Sequence, residues 1–280
     1  MRIVVRDDGS HDGSRALIER YAGDHPHRIR LLPDDGLNRR ACGNFAELLR
    51  HAEAPYVMFC DQDDVWHPDK VALSLSAMRK AEAIAPGQPV LVHTDLAVVD
   101  DRLYPIAPSL ARFLHIDLVG GTRLPRLLAH NVVTGCTAMI NRALIVRCLP
   151  IPAEAIMHDY WVALVAAACG RIDLVPRALV DYRQHPANAL GAMGMTWKRL
   201  ARRLLISPWA EAHARLERGY RQAETLRRAL HGQLSPAAMA TVDAYLAMRT
   251  RGWFGRRIAL IHHGFWMNGL VRNLALLVVL

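Results

Sequence analysis

A run of apolar residues that ends in three carboxylates constrains this chain more than any other feature. Residues 56–60, Tyr-Val-Met-Phe-Cys, are typical of a short strand buried on both faces of a parallel sheet. Asp61, Asp63 and Asp64 follow at once, and such carboxylates repel one another unless a cation or several donors lie between them. Because ligands of open α/β sheets bind at the carboxyl ends of strands, the stretch predicts an α/β fold with a ligand site here. The alternative is an exposed acidic turn that caps the next helix.

A divalent cation is the simplest means of holding these carboxylates together. Asp61 and Asp63 lie two positions apart, so a tight turn would direct both toward one hard cation. Mg²⁺ or Mn²⁺ bound by one or two carboxylates commonly takes its remaining ligands from phosphates and water. Asp61 and Asp63 are therefore the candidate metal ligands, and Asp64 and Trp66 beside them are candidate substrate contacts.

Strand patterns alternate with helix patterns along the first 190 or so residues. Residues 2–6, 29–32 and 90–93 are short apolar strands, and helical patterns lie between them. This order predicts a mainly parallel sheet with helices on its faces. A last strand, residues 174–182, is interrupted by Pro176. Because proline has no N–H for a sheet ladder, we expect an edge strand or an irregular one.

Five motifs, in this order, resemble family 2 glycosyltransferases, particularly the bacterial rhamnosyltransferase-like branch. The resemblance covers roughly residues 1 to 190 and implies the GT-A nucleotide-diphospho-sugar transferase fold. Each motif alone is weak, and their shared order makes the resemblance specific. The motifs are Asp7-Asp8-Gly9-Ser10, Asp61-Gln62-Asp63-Asp64-Val65-Trp66, Asn131 to Thr137, His158-Asp159-Tyr160-Trp161 and Tyr182-Arg183-Gln184-His185.

The resemblance implies roles for several of these residues. An aspartate at the position of Asp7 or Asp8 would hold the nucleotide, whereas Asx-turn chemistry alone is the plainer explanation of that turn. In several relatives a histidine completes the metal site, and His185 lies 26 positions after Asp159. A lone histidine is more often a structural residue. Arg183 is a candidate for the diphosphate, because its planar fork suits phosphate oxygens.

Asp159 is the candidate catalytic base. An acidic residue in the first turn of a helix also interacts favourably with the helix dipole, and this is the alternative explanation. The resemblance implies that Asp159 deprotonates an acceptor hydroxyl that attacks the sugar from the opposite face, so the reaction inverts the anomeric centre. Trp161, two residues on, is a candidate substrate contact, because aromatic faces suit sugar rings.

The start of the chain departs from the family pattern. Relatives have a strand, a turn and a helix before their Asp-Asp-Gly-Ser, whereas only six residues precede Asp7. The resemblance therefore implies that the first βα unit, whose strand would lie between strands 3–5 and 57–60, is missing. Orphaned backbone groups each cost on the order of 1–3 kcal/mol, so we expect low stability and weak donor binding. Direct pairing of the two strands would contradict this expectation.

The C-terminal part differs in charge from the rest. Residues 197–280 contain 14 Lys and Arg against 4 Asp and Glu, a balance of +10 within a total of +9. Apolar residues at 197, 200, 201, 204 and 205 lie opposite basic ones at 198, 199, 202 and 203. This pattern predicts an amphipathic helix on an anionic membrane surface. We therefore divide the chain into a GT-A domain, 1–196, and a helical basic region, 197–280, whose apolar end either enters the interface or packs on the domain.

Taken together, these features predict a cytoplasmic enzyme, peripheral on the inner face of the membrane. Met1 leads at once into a strand, the cysteines are scattered, and no stretch reaches the ~20 apolar residues that span a bilayer. The predicted partners are a nucleotide-diphosphate sugar and a hydroxyl of a cell-surface polysaccharide or lipid-linked saccharide. The alternatives are a non-catalytic sugar-nucleotide-binding relative and a nucleic-acid-binding protein. We expect no nucleic acid, because the basic residues alternate with an apolar face and no stacking motif accompanies them.

Overall fold

The computed structural model describes residues 1–184 and 209–280. Its strands and helices alternate through the first part, and only helices follow residue 209. The strands are β1 Ile3–Val5, β2 Ile29–Leu31, β3 Tyr56–Met58, β4 Val65–Trp66, β5 Val90–Val99, β6 Pro105–Ala107, β7 Met139–Asn141 and β8 Arg171–Arg183.

The helices carry most of the remaining chain. In order they are α1 Ser14–Asp24, α2 Arg40–Arg50, α3 Lys70–Ile84, α4 Leu110–Leu114, α5 Leu124–Ala129, α6 Arg142–Cys148, α7 His158–Cys169, α8 Trp209–Ala229, α9 Pro236–Ala247, α10 Trp253–His263 and α11 Leu270–Val279. Short 3-10 turns span Gly120–Thr122, Gly135–Thr137 and Met248–Thr250. The ends follow local chemistry: Ser235 accepts from the Ala238 N–H at 3.2 Å, and Pro236 occupies the first turn of α9.

The main sheet is mixed, with six strands. Five of them run in the order β3-β7-β5-β8-β4, and β6 pairs with β5. β5 and β8 are parallel, whereas the β3–β7, β5–β7, β4–β8 and β5–β6 pairs are antiparallel. The prediction of a mainly parallel sheet is therefore wrong for this sheet. Apolar runs reveal burial but not strand direction, and the short strands β4, β6 and β7 supply the antiparallel pairs.

The last strand is covered on its second side only near its end. β8 pairs with β5 from Arg171 to Arg183, whereas β4 pairs only with Val180 and Asp181. Among the described strands, none pairs with Pro176 on that second side, so it lies at an edge and in an irregular stretch, the two positions we considered. Thr94 pairs with Val175 and Asp95 with Ala178, so two residues of β8 have no partner on β5. Pro176 is one of these two. A bulge is one of the few sheet positions that tolerates proline.

A small second sheet holds the N-terminal residues. β1 and β2 form a parallel pair by themselves, and β3 is the terminal strand of the six-stranded order. Among the described residues, β1 and β3 are therefore not paired with each other. Direct pairing of β1 with β3 would have contradicted the prediction that the first βα unit is missing. This pairing is not seen among the described residues, and the missing unit stays a prediction.

Helices cover both faces of the main sheet. α3 packs across β5 and β8, and α7 packs with α2, α5 and α6. α7 is buried along nearly its whole length, from His158 to Ala168. α8 and α9 pack on α5, and their residues Tyr220, Leu226 and Val242 share one apolar cluster with α7.

The helical C-terminal region that we predicted is therefore present, and its first helices pack on the sheet-containing part. The predicted boundary at residue 196 and the basic amphipathic segment 197–205 lie outside the described residues. Within the described ranges, no helix combines the length and the apolarity that crossing a bilayer requires.

Candidate active site

The acidic turn after β3 is held by the end of β8. The backbone N–H of Arg183 donates to Asp64 Oδ1 at 3.1 Å. The guanidinium of Arg183 donates to the Asp63 carbonyl at 2.9 Å and to the Asp101 carbonyl at 3.0 Å. The first two of these bonds join residues more than 100 positions apart, and together the three fix the path of the turn. The three carboxylates are thus presented where the strands end, as the sequence predicts.

Two of these carboxylates converge with a thiol. Ligand atoms of Asp61, Asp64 and Cys136 all lie within 4.8 Å of one another. Desolvation, helped by the carboxylates of Asp64, Asp63 and Asp159, raises the pKa of Asp61 to about 7. Desolvation also raises the pKa of Asp64, and burial raises the pKa of the Cys136 thiol well above its usual value. All three groups therefore favour their protonated, uncharged forms more than they would in water, because little water compensates a negative charge there.

The residues present fit a hard divalent cation. Asp64 Oδ2 is buried and has no hydrogen-bond partner among the described residues, so one ligand position is available. Carboxylate oxygens are the ligands that Mg²⁺ and Mn²⁺ prefer. Asp61 was expected in this group and Asp64 was not, while the buried Cys136 thiol, whose pKa is raised, is a poor ligand for a hard cation. The ligand roles of Asp63 and His185 stay predictions, and His185 lies outside the described residues.

Asp159 faces the same cluster from α7. It lies in the first turn of the helix, where its Oδ1 accepts from the Tyr160 N–H at 2.6 Å and its Oδ2 from the Gly135 N–H at 2.9 Å. Part of the residue is accessible, while its carboxyl group is enclosed by protein. Desolvation raises the pKa of Asp159 to about 6, although those N–H groups favour the charged form. Asp159 also contributes to the raised pKa of Asp61, which places the two carboxylates in one electrostatic site.

The turn after β1 is a second polar site. Asp7 is buried, and its Oδ2 accepts from the backbone N–H groups of Gly9 and Ser10 at 3.1 and 3.0 Å. Hydrogen bonds from Ser10 and Gly9 lower the pKa of Asp7. Asp8 pairs with the buried guanidinium of Arg6 and accepts from the Arg39 N–H at 2.8 Å. The Asx-turn chemistry is thus present, and nucleotide binding by Asp7 or Asp8 stays a prediction.

Helix α2 joins the two sites. Asn44 Nδ2 donates to the Arg6 carbonyl at 3.3 Å, and Arg6 donates back to Asn44 Oδ1 at 3.0 Å. The next residue, Phe45, stacks on His158 with ring centroids 4.1 Å apart and meets Phe59 edge-on at 5.7 Å. Consecutive residues of one helix therefore set the turn after β1 against the strand that leads to Asp61 and the helix that carries Asp159.

Comparison with known proteins decides the family. Residues 1–145 match the model for glycosyl transferase family 2, which is more than half of the 280 residues. The chain belongs to glycosyl transferase family 2. The matched span contains the turn at Asp7 and the acidic run 61–64, while Asp159 lies beyond it.

Several known proteins resemble the chain in sequence. Mb1547, an uncharacterized protein of Mycobacterium bovis, is 26% identical over 192 residues, which cover 66% of this chain and 50% of that protein. The uncharacterized glycosyltransferase alr2836 of Nostoc sp. is 27% identical over 190 residues, 67% of this chain and 57% of its own. The dTDP-rhamnosyl transferase RfbG of Shigella flexneri is 24% identical over 203 residues, 68% and 65% respectively. The chain spans about half the length of the mycobacterial relative.

Solved structures show the same fold. Residues 1–349 of TarS from S. aureus superimpose with a TM-score of 0.52 at 15% identity, covering 88% of this chain and 60% of that one. A TarS complex with UDP-GlcNAc gives 0.50 at 14% identity, with coverages of 94% and 80%. At such identity the likeness concerns the fold alone. The fold class that the motifs predict, GT-A with a helical C-terminal region, is confirmed.

One predicted contact of this glycosyl transferase family 2 chain requires correction. Trp161 is 1% exposed, and its indole N–H donates to the Cys148 carbonyl at 3.0 Å. A side chain with no accessible surface has none to offer a sugar ring, so the predicted substrate contact is wrong in this structure. The cause is that α7 is apolar on every side, and its sequence pattern does not show which side reaches the site. The substrate contacts of Asp64, Trp66 and Arg183 stay predictions.

Sequence reasoning missed two residues beside the acidic turn. Lys70 is fully buried, its Nζ has no hydrogen-bond partner within the described part of the chain, and it lies 4.6 Å from the centre of the Trp66 ring. Burial lowers its pKa to about 8. The second, Cys136, was visible only as part of a family motif. Neither Lys70, at the start of an ordinary helix, nor Cys136 carries a local signal of its place in the site.

Proposed function

We propose that this chain is an inverting glycosyltransferase that depends on Mg²⁺ or Mn²⁺. It moves a sugar from a nucleotide-diphosphate donor to a hydroxyl of a saccharide. One observation carries the proposal: Asp159, with its pKa raised to about 6, lies in the same electrostatic site as the strand-end cluster of Asp61 and Asp64. A base and a cation-binding carboxylate cluster that meet at the ends of sheet strands provide the two groups that glycosyl transfer from a diphosphate to a hydroxyl requires.

The donor class follows from the family and its neighbours. The relative RfbG is named a dTDP-rhamnosyl transferase, and TarS was crystallised with UDP-GlcNAc. Both compounds are sugars on a nucleotide diphosphate. In this chain we assign the nucleotide to the turn of Asp7 and Asp8 and the diphosphate to the acidic site, with Arg183 beside it. Rhamnose is one candidate for the transferred sugar.

The chain's own residues supply the acid–base chemistry. Asp159 accepts the proton of the acceptor hydroxyl as that oxygen attacks the anomeric carbon from the face opposite the diphosphate. The Gly135 and Tyr160 N–H groups fix the orientation of the carboxylate. A raised pKa keeps it a useful base near neutral pH. When bound, the cation would be held by Asp61 with Asp64 or Asp63 and would stabilise negative charge on the leaving diphosphate.

The acceptor belongs to the proposal as well. We take it to be a hydroxyl of a growing cell-surface polysaccharide or of a lipid-linked saccharide, used at the cytoplasmic face of the membrane. The excess of +10 in residues 197–280 supports this placement, because basic segments are attracted to anionic lipid.

A screen of donor hydrolysis tests the function. The purified chain is incubated with dTDP-rhamnose, UDP-glucose, UDP-galactose, UDP-GlcNAc and GDP-mannose, each with and without Mn²⁺. We expect hydrolysis of one donor, dependent on Mn²⁺. Tight binding of a donor without any turnover would instead support the non-catalytic alternative.

Calorimetry on variants then tests the cation. Asp61→Ala, Asp63→Ala and His185→Ala should each weaken Mn²⁺-dependent donor binding by about 10–100-fold, the range seen when groups of a metal site are removed. Asp243→Ala, an exposed residue on α9 that pairs with Arg227, is the matched control. Unchanged donor affinity in His185→Ala would return that histidine to a structural role, and unchanged affinity in all three would remove the cation from the proposal.

A further inference from the structure

The last two helices expose large apolar side chains to solvent. They are Trp253, Phe254, Ile258 and Ile261 on α10, and Leu270, Leu274 and Val278 on α11. Their exposed fractions run from 54% at Leu274 to 76% at Leu270. We call these seven side chains the C-terminal apolar face. Single exposed apolar residues are ordinary, whereas a continuous group marks a surface that meets another molecule or a membrane.

Each helix presents its exposed residues on one side. On α11 the three lie at intervals of four, which is one stripe of a helix. On α10 the four fall within a little over a third of the helix circumference, and the opposite side is buried through Ala259 and Leu260. α10 is therefore anchored to the molecule by one apolar side and leaves the other unpartnered.

The two stripes adjoin. Arg257 lies on the exposed side of α10 between Phe254 and Ile261, and its guanidinium donates to the carbonyl of Leu277 on α11. Its neighbour Arg256 donates to the Leu280 carbonyl at 3.5 Å. The Arg257 guanidinium also lies 3.6 Å from the centre of the Trp253 ring. Because Arg257 joins α10 to α11, the exposed stripes of the two helices lie beside each other, and the same arginine packs on the Trp253 ring.

The charge around this face has one sign. Residues 249–280 contain five arginines and no aspartate or glutamate. Among the described residues, Arg249 alone of the five has a carboxylate partner, Glu217 at 2.8 Å. Arg257 and Arg272 instead bond to peptide carbonyls, which carry no net charge. The positive charge of these two arginines is therefore not neutralised by those partners.

We propose that the C-terminal apolar face docks onto an anionic lipid bilayer. Its apolar side chains enter the boundary between headgroups and acyl chains, and the arginines around it meet lipid phosphates. The combination of exposed Trp, Phe, Leu and Ile with arginines and without acids is what interfacial helices use. A membrane leaflet rich in anionic lipid supplies the complementary charge. Two short helices that carry such a face lie in the plane of the interface and do not span.

Vesicle sedimentation of the full chain tests this directly. The probes are vesicles of phosphatidylcholine alone and of phosphatidylcholine with about one quarter phosphatidylglycerol. We expect binding to the anionic vesicles, weaker binding to the neutral ones, and a loss of binding as salt shortens the electrostatic range from ~10 Å at 0.1 M to ~3 Å at 1 M. The triple variant Phe254→Ser, Ile261→Ser and Leu270→Ser should lower the affinity for anionic vesicles by at least ~10-fold.

A matched control distinguishes vesicle binding by this face from binding by any exposed apolar side chain and from binding by the basic segment 197–205, which both variants keep. The control triple Ile84→Ser, Val119→Ser and Val146→Ser removes side chains that are 65–66% exposed elsewhere, and it should bind vesicles like the unmodified chain. Both triples should keep the melting temperature. Equal vesicle affinity of the two triples would overturn the proposal. So would a dimer in solution that the first triple converts to a monomer, because the face would then be an interface between copies.

Discussion

The acidic site after β3 and the C-terminal apolar face depart in opposite ways from the usual rule that charged side chains are exposed and large apolar ones are buried. At the acidic site, charged groups are withdrawn from water: Lys70 is fully buried, and desolvation raises the pKa values of Asp61 and Asp159 to about 7 and about 6. At the C-terminal face, seven large apolar side chains are left in water, among them Phe254 at 75% exposure. Folding alone favours neither arrangement.

The difference shows what each region lacks. A buried carboxylate oxygen without a hydrogen-bond partner among the described residues, such as Asp64 Oδ2, gains stability from a cation or a donor group. An exposed apolar stripe gains stability from an apolar phase. The first region therefore requires a small ligand and the second an extended surface. Substitutions at the two regions should therefore have different effects. Those at the acidic site should change turnover and its pH dependence, and those at the C-terminal apolar face should change binding to membranes.

The largest effect is expected at the base. Asp159→Asn should lower kcat by at least ~10²-fold, because the amide cannot accept the acceptor's proton. Donor and metal affinity should remain close to those of the unmodified chain, since the charges of Asp61, Asp63 and Asp64 remain. Steady-state kinetics with calorimetry of donor binding measures both, with Asp243→Asn as the control. Near-normal turnover of Asp159→Asn would leave Asp159 as a residue that caps α7 through Tyr160 and holds the Gly135 loop.

The pH dependence should show the same carboxylate. Its pKa of about 6 in the folded chain means that the fraction of ionised Asp159 falls below pH 6. Because only the ionised form is a base, kcat/KM, which reports groups of the free enzyme, should fall by about tenfold for each pH unit below that value and level off above it. The acidic limb should be missing from the residual activity of Asp159→Asn. A limb that persists unchanged in that variant would assign the titration to another group.

How much of the acidic site the sequence predicts depends on distance along the chain. Asp61 and Asp63 were predicted from residues next to them, an apolar strand before three carboxylates, whereas Asp159 was predicted from the resemblance to the family. The contact of Asp64 with Cys136 joins residues 72 positions apart, and no local pattern encodes it. The stack of Phe45 on His158 is hidden for the same reason. The prediction for Trp161 was wrong because the sequence of an all-apolar helix does not show which side of the helix faces the site.

For the fold as well, features encoded locally could be predicted from the sequence and others could not. The order of strands and helices, and the helical C-terminal region, followed from periodicity and motifs. Strand direction did not, because β7 returns antiparallel to β3 and β5 through a segment that lacks clean periodicity. On α10, the sequence shows apolar residues on nearly every side. Which of them face the core depends on where α9, α8 and α11 lie, and only tertiary structure provides that information.

Lys70 offers a sharper test of the buried region. Its folded pKa of about 8 lies below the ordinary 10.5, so the site disfavours the charged form. Lys70→Met removes that charge with similar volume and should raise the free energy of unfolding at pH 7 by about 1–3 kcal/mol. Between about pH 8 and 10.5 the unfolded chain holds a proton that the folded chain has released, so the unmodified protein gains stability as pH rises. The difference in unfolding free energy between Lys70→Met and the unmodified protein should therefore become smaller over this pH range.

Denaturant unfolding at several pH values measures this, and Lys80→Met, an exposed position on the same helix, is the control. A loss of stability in Lys70→Met would mean that attraction between the ammonium group and the carboxylates of the acidic site outweighs the cost of burying the charge. Lys70 would then be an internal counter-ion of that site.

The smallest effect is expected on the C-terminal apolar face, at two consecutive residues of α10. Leu260 is 1% exposed and Ile261 is 61% exposed. Leu260→Ala should therefore cost about 2–5 kcal/mol of unfolding free energy, as buried leucines do. Ile261→Ala should change it by less than about 0.5 kcal/mol, because the side chain already lies in water. Chemical denaturation of both variants at low protein concentration measures the pair. A comparable loss of unfolding free energy in Ile261→Ala would mean that a second surface covers this residue in solution. The C-terminal apolar face would then not be open to a membrane, and the contrast with the buried acidic site would no longer hold.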